Sequence, residues 1–393
     1  MTSTAAPAAS TVRVRDTRDL LSIVPFTLGY RPAECLLVVC VRHTGGLGLV
    51  ARTDLEDLRR PADRTEVAEL VATRAAEDGT VAAYVIVYTA GDAGPSSTAR
   101  AAADTFADAL DAVVAERESW VVGAQRYWSL DCTDRACCPP DGFPVDDLES
   151  TIPGAQLVLE GRAPARSRDE LYRVPRASEE RRGLAGRAAT RWDRSRRRAR
   201  EAEAPAGAER DWRSRSFDAW LEATATAAAG GELPAALLGR LAVALEDRAV
   251  RDGVLLWFVP GCEQHAADTA AGHGGSAQAD AATGEAMAAV VDPATSRAPD
   301  EARVRASKAV LEAVVAHAPR RRTASPLTLL AFLAWWSGEG AGASFRAAEA
   351  LAVDPDHRLA LLLGAALNAA LPPGWVRARD KPGLGRRGGP DLR

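Results

Sequence analysis

The sequence predicts an α/β N-terminal domain, a mixed sheet with packed helices, followed by an all-α, repeat-like C-terminal region. Three observations carry that reading. Short β-branched and aromatic runs alternate with helically spaced segments through residues 12–160. Beyond them the strand-like runs give way to segments whose apolar residues recur at helical spacing. Near the end, Gly338-Glu339-Gly340 and Asp354-Pro355-Asp356 separate short apolar helices.

In chain order, Thr11–Arg15 reads as a short edge strand, and Asp16 as the cap of a helix through Val24 that Pro25 and Gly29–Pro32 break. Leu36–Arg42 is a continuous apolar run, the signature of a strand buried on both faces. His43-Thr44-Gly45-Gly46 turns it into an antiparallel partner at Leu47–Thr53. A helix is predicted over 64–78, a strand at Val81–Tyr88, a helix over Thr98–Glu116 and a strand at Trp120–Trp128. Ser178-Glu179-Glu180 opens a long Arg-rich helix, with further helices near 211–228, 235–247 and 248–259. From Pro260 to Ala286 there is no Leu, Ile, Val, Phe, Met, Trp or Tyr, which predicts a disordered linker over 260–299. Helices follow at Leu327–Ser337, Ala341–Val353 and His357–Leu371. The full division is therefore a disordered N-terminus at 1–11, an α/β domain at 12–160, a helical middle at 161–259, the linker at 260–299, a helical region at 300–371 and a disordered tail at 372–393.

Composition narrows the function classes. The chain has 393 residues, enough for two or three domains, and a net charge of −4, so no global field favours nucleic acid or anionic membranes. Lys308 and Lys381 are the only lysines, so the arginine abundance reads as a genomic bias rather than a selected basic surface. No apolar stretch approaches the ~20 residues that span a bilayer. Six cysteines in a chain this long are not a disulfide framework. The expected location is the cytoplasm, with no signal peptide at Met1–Thr11.

Two stretches carry a resemblance. One is Leu20-Leu21-Ser22-Ile23-Val24-Pro25-Phe26-Thr27-Leu28-Gly29-Tyr30-Arg31-Pro32 with Arg52-Thr53-Asp54-Leu55 after the apolar strand. The other is Tyr127-Trp128-Ser129-Leu130-Asp131-Cys132 running on to Cys137-Cys138-Pro139-Pro140-Asp141-Gly142. Together they resemble the actinobacterial domain-of-unknown-function family 4192, to whose C-terminal part residues 330–356 are also similar. That resemblance implies an architecture and carries no activity. Counting back from Pro355, Leu330, Gly338, Ala343, Ala350 and Leu351 look like one tetratricopeptide-type helical hairpin, with Trp335 and Trp336 departing from that pattern.

Three sets of residues could carry chemistry. Cys132, Cys137 and Cys138 stand in one loop after a strand, where thiolates could hold zinc, exchange a disulfide, or simply pack beneath the sheet. Arg31, Arg52 and Asp54, with Asp131, stand at strand ends, where α/β sheets bind ligands and where ion pairs also pin loops. Trp335 and Trp336 could anchor a protein partner or fill a core. Walker, HExxH, G-x-S-x-G and kinase signatures are missing, and the five histidines show no ligand spacing. The expected function is a non-enzymatic binding or regulatory protein that engages a protein partner through its C-terminal helices. The alternatives are an enzyme of unassigned type, or a metal or redox protein, using the cysteine loop with the strand-end Arg and Asp residues. The third is a nucleic-acid binder through the helix Arg181–Arg200, which acids at Glu201, Glu203, Glu209 and Asp211 argue against. No cofactor is identified beyond zinc at the cysteines.

Overall fold

The computed structural model describes residues 12–91, 97–273 and 277–379. The expected N-terminal disorder at 1–11 and most of the expected tail lie outside the described residues. The chain divides into two compact units, Met1–Arg173 and Val174–Arg393, so the α/β unit extends past the boundary expected at residue 160.

The first unit opens with α1 (Thr17–Leu28), capped by the Asp16 carboxylate, which accepts from Asp19 N at 2.8 Å. Residues 12–15 form no strand, because Arg15 N donates to Asp19 Oδ2 and is spent on the helix start. Pro25 sits inside α1 instead of ending it; Gly29, at φ 78°, is the stop. The hairpin β1 (Cys35–Arg42) and β2 (Leu47–Asp54) forms as the turn residues predict. After α2 (Pro61–Glu77) comes β3 (Thr80–Tyr88), antiparallel to β1. The helix α3 (Thr98–Asp111) then crosses over to β4 (Glu116–Val122), which lies parallel to β3.

Two boundaries differ from expectation here. The helix α3 ends at Asp111 rather than 116, because Ala115 N is already bonded to Val81 O at the start of the ladder. The single strand expected at 120–128 is two strands, β4 and β5 (Arg126–Ser129), folded about Gly123, whose N–H donates to Arg126 O. The two-residue β6 (Phe143–Pro144) completes a sheet of order β2-β1-β3-β4-β5-β6. Leu36, Val38 and Cys40 face α2 and α3, while Cys35, Leu37 and Val39 face α1, so β1 is buried on both sides. Each of these leucines and valines contributes about 1.5–3 kcal/mol on leaving water. The short helices α4 (Asp146–Glu149), α5 (Ile152–Leu159) and α6 (Arg168–Tyr172) follow.

The second unit is helical throughout its described residues. It comprises α7 (Glu179–Ala199), α8 (Ala208–Ala228), α9 (Ala235–Ala244), α10 (Arg248–Trp257), α11 (Glu263–Ala271), α12 (Ala277–Val291), α13 (Glu301–His317), α14 (Ala324–Trp336), α15 (Gly340–Val353), α16 (Arg358–Asn368) and α17 (Gly374–Arg379). The linker expected at 260–299 thus contains α11 and α12, and α17 lies in the expected tail. The physical reason is close packing by small residues. Ala266 and Ala270 are fully buried, and a Cβ on Gly253 of α10 would stand 2.6 Å from Ala266 O. Alanine gives up little entropy in a helix, and backbone approach replaces the large side chains whose absence predicted disorder.

Trp335 and Trp336 belong to this core and are not a partner-binding face. Trp336 is fully buried and Trp335 is 6% exposed, and their rings pack on Phe332, which stacks on Phe258. The sequence pattern could not distinguish an apolar helix face turned inward from one offered to a partner.

Candidate metal centre

The cysteine loop leaves the sheet after β5 and returns at β6. At its start, Ser129 Oγ accepts from Asp131 N and Cys132 N at 3.2 and 3.1 Å. The Asp131 carboxylate reaches back to β4, accepting from Ser119 N at 2.5 Å and from Arg117 Nη1 at 3.0 Å. Arg117 also bonds Asp111 at 2.7 Å, so one guanidinium is held between two carboxylates. At the far end Gly142 adopts φ 70°, and a Cβ there would come within 2.7 Å of Tyr127 O. Glycine is therefore required for the loop to close back against β5. Between these anchors Cys138 N donates to Asp134 O at 2.7 Å, and Asp134 Oδ1 accepts from Ala136 N at 2.9 Å.

This folding brings the three sulfurs together. The Sγ atoms of Cys132, Cys137 and Cys138 all lie within 4.8 Å of one another, and those of Cys137 and Cys138 are 3.9 Å apart. A tetrahedral zinc ion with bonds of ~2.3 Å spaces its sulfurs by about 3.8 Å. Cys132 and Cys137 are exposed and Cys138 is half-buried, so the loop does not tuck its thiols beneath the sheet. Burial, and then the neighbouring sulfurs of Cys132 and Cys137, push the Cys138 thiol up to about 12. Three thiolates this close repel one another unless a cation lies between them. The other cysteines are separate: Cys35 and Cys40 are buried in β1, where loss of water raises each thiol to about 11.

The strand-end residues form different arrangements. Arg52 and Asp54 pair at 2.6 Å, and Arg168 approaches Asp54 at 3.7 Å. Arg31 is turned away and bonds Glu149 at 3.0 Å in an exposed pair. Asp131 is at the opposite end of the sheet from Asp54. In the ladder Asp54 lies opposite Cys35, Cys35 opposite Tyr88, and Tyr88 opposite Val122, whereas Ser129 lies opposite Trp120 and leads toward the start of β4. A single site combining the cysteine loop with Arg31, Arg52 and Asp54 is therefore not formed. The antiparallel return of β5 is the reason, since it delivers the loop to the wrong end.

The Asp54 end has its own features, several of them unforeseen. A groove of 520 Å³ is lined by Glu34, Asp54, Leu55, Glu56, Arg59, Thr89, Thr98 and Ala99, beyond the carboxyl end of β3 and at the start of α3. Glu34 holds φ 44°, a left-handed conformation that costs a non-glycine residue energy, while its carboxylate accepts from Ala90 N at 2.8 Å and Thr89 Oγ1 at 3.1 Å. The buried hydroxyls of Tyr30 and Tyr88 have no hydrogen-bond partner among the described residues, and burial raises Tyr30 to about 12. Glu34 and Thr89 carried no sequence signal. Tyr30 stands in the segment that ends the first helix and in a stretch that carries the resemblance, neither of which attaches chemistry to its hydroxyl.

In the helical unit, Ser325 Oγ lies 3.2 Å from His357 Nε2. This is not a nucleophile and base. His357 Nδ1 accepts from Ala360 N at the start of α16, which leaves the ring proton on Nε2, directed at Ser325. Along α7, Arg196 and Arg197 pair with Asp193, and Arg200 at its C-terminal cap pairs with Asp247, so part of the positive charge there is neutralised internally.

Among the described residues, no helix is long and apolar enough to cross a membrane. Comparison with curated proteins and with solved structures finds no match. A family model described as "Domain of unknown function (DUF4192)" matches residues 18–300 and 279–374. Those ranges take in both stretches that carry the resemblance, the cysteine loop and the C-terminal helices, and the chain belongs to that family.

Proposed function

We propose that this chain is a binding or regulatory protein whose α/β unit holds a metal ion, zinc in the first instance, on Cys132, Cys137 and Cys138. The convergence of three sulfurs within 4.8 Å in an exposed loop carries the reading. Packing is a poor account of thiols that face water. Zinc takes thiolates readily, without redox chemistry and without a demanding geometry. Untagged protein, reduced and reconstituted with zinc, should retain about one ion per chain, and Cys137→Ser should lose it. Protein that stays free of metal with three titratable thiols would overturn the proposal.

A second reading is favoured by the groove at the Asp54 end, which supports binding of a small polar molecule there. Soaking or titration screens in which Asp54→Asn and Thr98→Val abolish a ligand's effect on the melt would support it. We further propose that the C-terminal helices engage a protein partner in the manner of a tetratricopeptide hairpin, the cytoplasm being the setting. The support is the close pairing of α14 with α15 about Gly338 at φ 84°, the small residues Ala343, Ala347 and Ala350 at the contact, and exposed Leu361 and Leu362 on α16. Loss of a co-purifying partner on changing Leu361 and Leu362 to Lys, with the melt preserved, is the expected result.

A further inference from the structure

We infer that the Cys132–Cys137–Cys138 centre is an open one, whose fourth coordination position is taken by an exogenous thiolate. The inference rests on the metal reading above and goes further, assigning the centre a ligand. Structural zinc sites are closed by four protein donors, whereas sites that act on a ligand supply three and leave one position free. Among the described residues, the cluster contains three donors from His, Cys, Asp and Glu, and all three are these cysteines.

Two acidic residues of the same loop, Asp131 and Asp134, take part in folding it. Both Asp131 oxygens are engaged by Arg117, one of them by Ser119 N as well. Asp134 uses Oδ1 on Ala136 N and its carbonyl on Cys138 N. Drawing the Asp131 carboxylate to the ion would break its bonds to Arg117 and Ser119 N, which build the loop. Cys132 and Cys137 are exposed, so the centre lies at the surface of its unit.

Sulfur is the matching donor for that position. Three thiolates pass charge onto the ion and weaken its attraction for hard oxygen ligands, while soft thiolates remain well suited to it. A thiol that coordinates zinc is deprotonated outright. The incoming thiol forms a fourth metal–sulfur bond, the metal–solvent bond breaks, and the thiol proton passes to bulk water. No oxidant or reductant takes part. A thiol with an ordinary value near ~8.5 is thereby held as thiolate at neutral pH. The source is either a low-molecular-weight thiol or a cysteine of another protein, and the chemistry is shared.

The test uses the full chain loaded with one equivalent of Co²⁺, with a phosphine reductant so that no thiol is present beforehand. Glutathione is titrated in one arm and a reduced, unfolded cysteine-bearing protein in the other. The inference predicts a saturable rise of about a third in the sulfur-to-cobalt charge-transfer band, the ratio of four thiolates to three, with a shift of the d–d bands. Response in either arm supports it, and the difference between the arms separates the two sources. A cobalt spectrum that already shows four sulfurs, or that ignores thiols in both arms, overturns the open thiolate position and leaves the metal reading standing. Failure to bind Co²⁺ or Zn²⁺ at all overturns both.

Discussion

The indole Nε1 of Trp336 donates to the main-chain carbonyl of Arg297 at 3.2 Å, and the ring that carries it is fully buried. The bond ties α14 to the segment between α12 and α13, and the Trp375 indole donates in turn to Trp336 O at 2.7 Å. Trp336→Ala should therefore cost about 3–5 kcal/mol, the range for emptying a buried aromatic site. Urea unfolding of the full chain measures it; a loss below about 1 kcal/mol would show that the ring is not core.

Two glycines should respond to alanine with opposite signs. On α9, a Cβ at Gly239 would collide with the Ala185 carbonyl of α7, so Gly239→Ala should destabilise by about 1–3 kcal/mol. On α7 itself, a Cβ at Gly186 meets nothing within 4 Å, and Gly186→Ala should stabilise by about 0.5–1 kcal/mol. Paired thermal melts check both, and stabilisation of both variants would contradict the close α7–α9 approach.

Thiol accessibility should fall into distinct classes. Cys132 and Cys137 should react first with an aromatic disulfide reagent, Cys138 and Cys262 more slowly, and Cys35 and Cys40 only on unfolding. The last two are buried, and the same burial holds their thiols protonated to about 11. Loading with zinc should protect Cys132, Cys137 and Cys138 together and leave Cys262 reactive. Peptide mapping of the labelled cysteines reads the order, and early labelling of Cys35 would be inconsistent with this sheet.

The helical unit should lose stability in mild acid through its histidines. Burial lowers His317 and His357 below their ordinary value, and Arg181 and Arg251 respectively add to the effect. The native state thus keeps both rings neutral while the unfolded chain protonates first. Their contribution is fully present above about pH 7 and is lost as pH falls through about 6.5 toward the lower native values. Glu246, raised chiefly by burial, acts in the opposite sense, so the comparison is made against a variant. His357→Asn keeps a side-chain cap for α16 and should flatten the decline between pH 7.5 and 5.5, measured by urea midpoints. An unchanged slope would mean that His357 does not titrate with folding.

Much of the first unit was legible because its signals are local. The apolar run at β1, the His43–Gly46 turn and the Asp16 cap each act within a few residues, and each formed at or near its expected place. The cysteine loop was legible as a candidate because Cys132, Cys137 and Cys138 lie close in sequence. Glu34, Thr89 and Arg168 were invisible because the ladder and the chain's later return, not their neighbours, bring them to the Asp54 end. The segment at 260–299 folds against the sequence expectation because burial there comes from Ala266 and Ala270 against Gly253, and small residues carry little hydrophobic signal.

By itself the sequence determined the α/β-then-helical order, the family motifs and three sulfurs confined to one short loop, since these depend on periodicity and spacing along the chain. Tertiary structure alone decided that Asp54 and Asp131 stand at opposite ends of the sheet, that Arg31 turns to Glu149, and that Trp336 faces inward. Strand direction and helix orientation set those outcomes. Both arise from burying surface between segments far apart in sequence, where no local pattern records which face meets which.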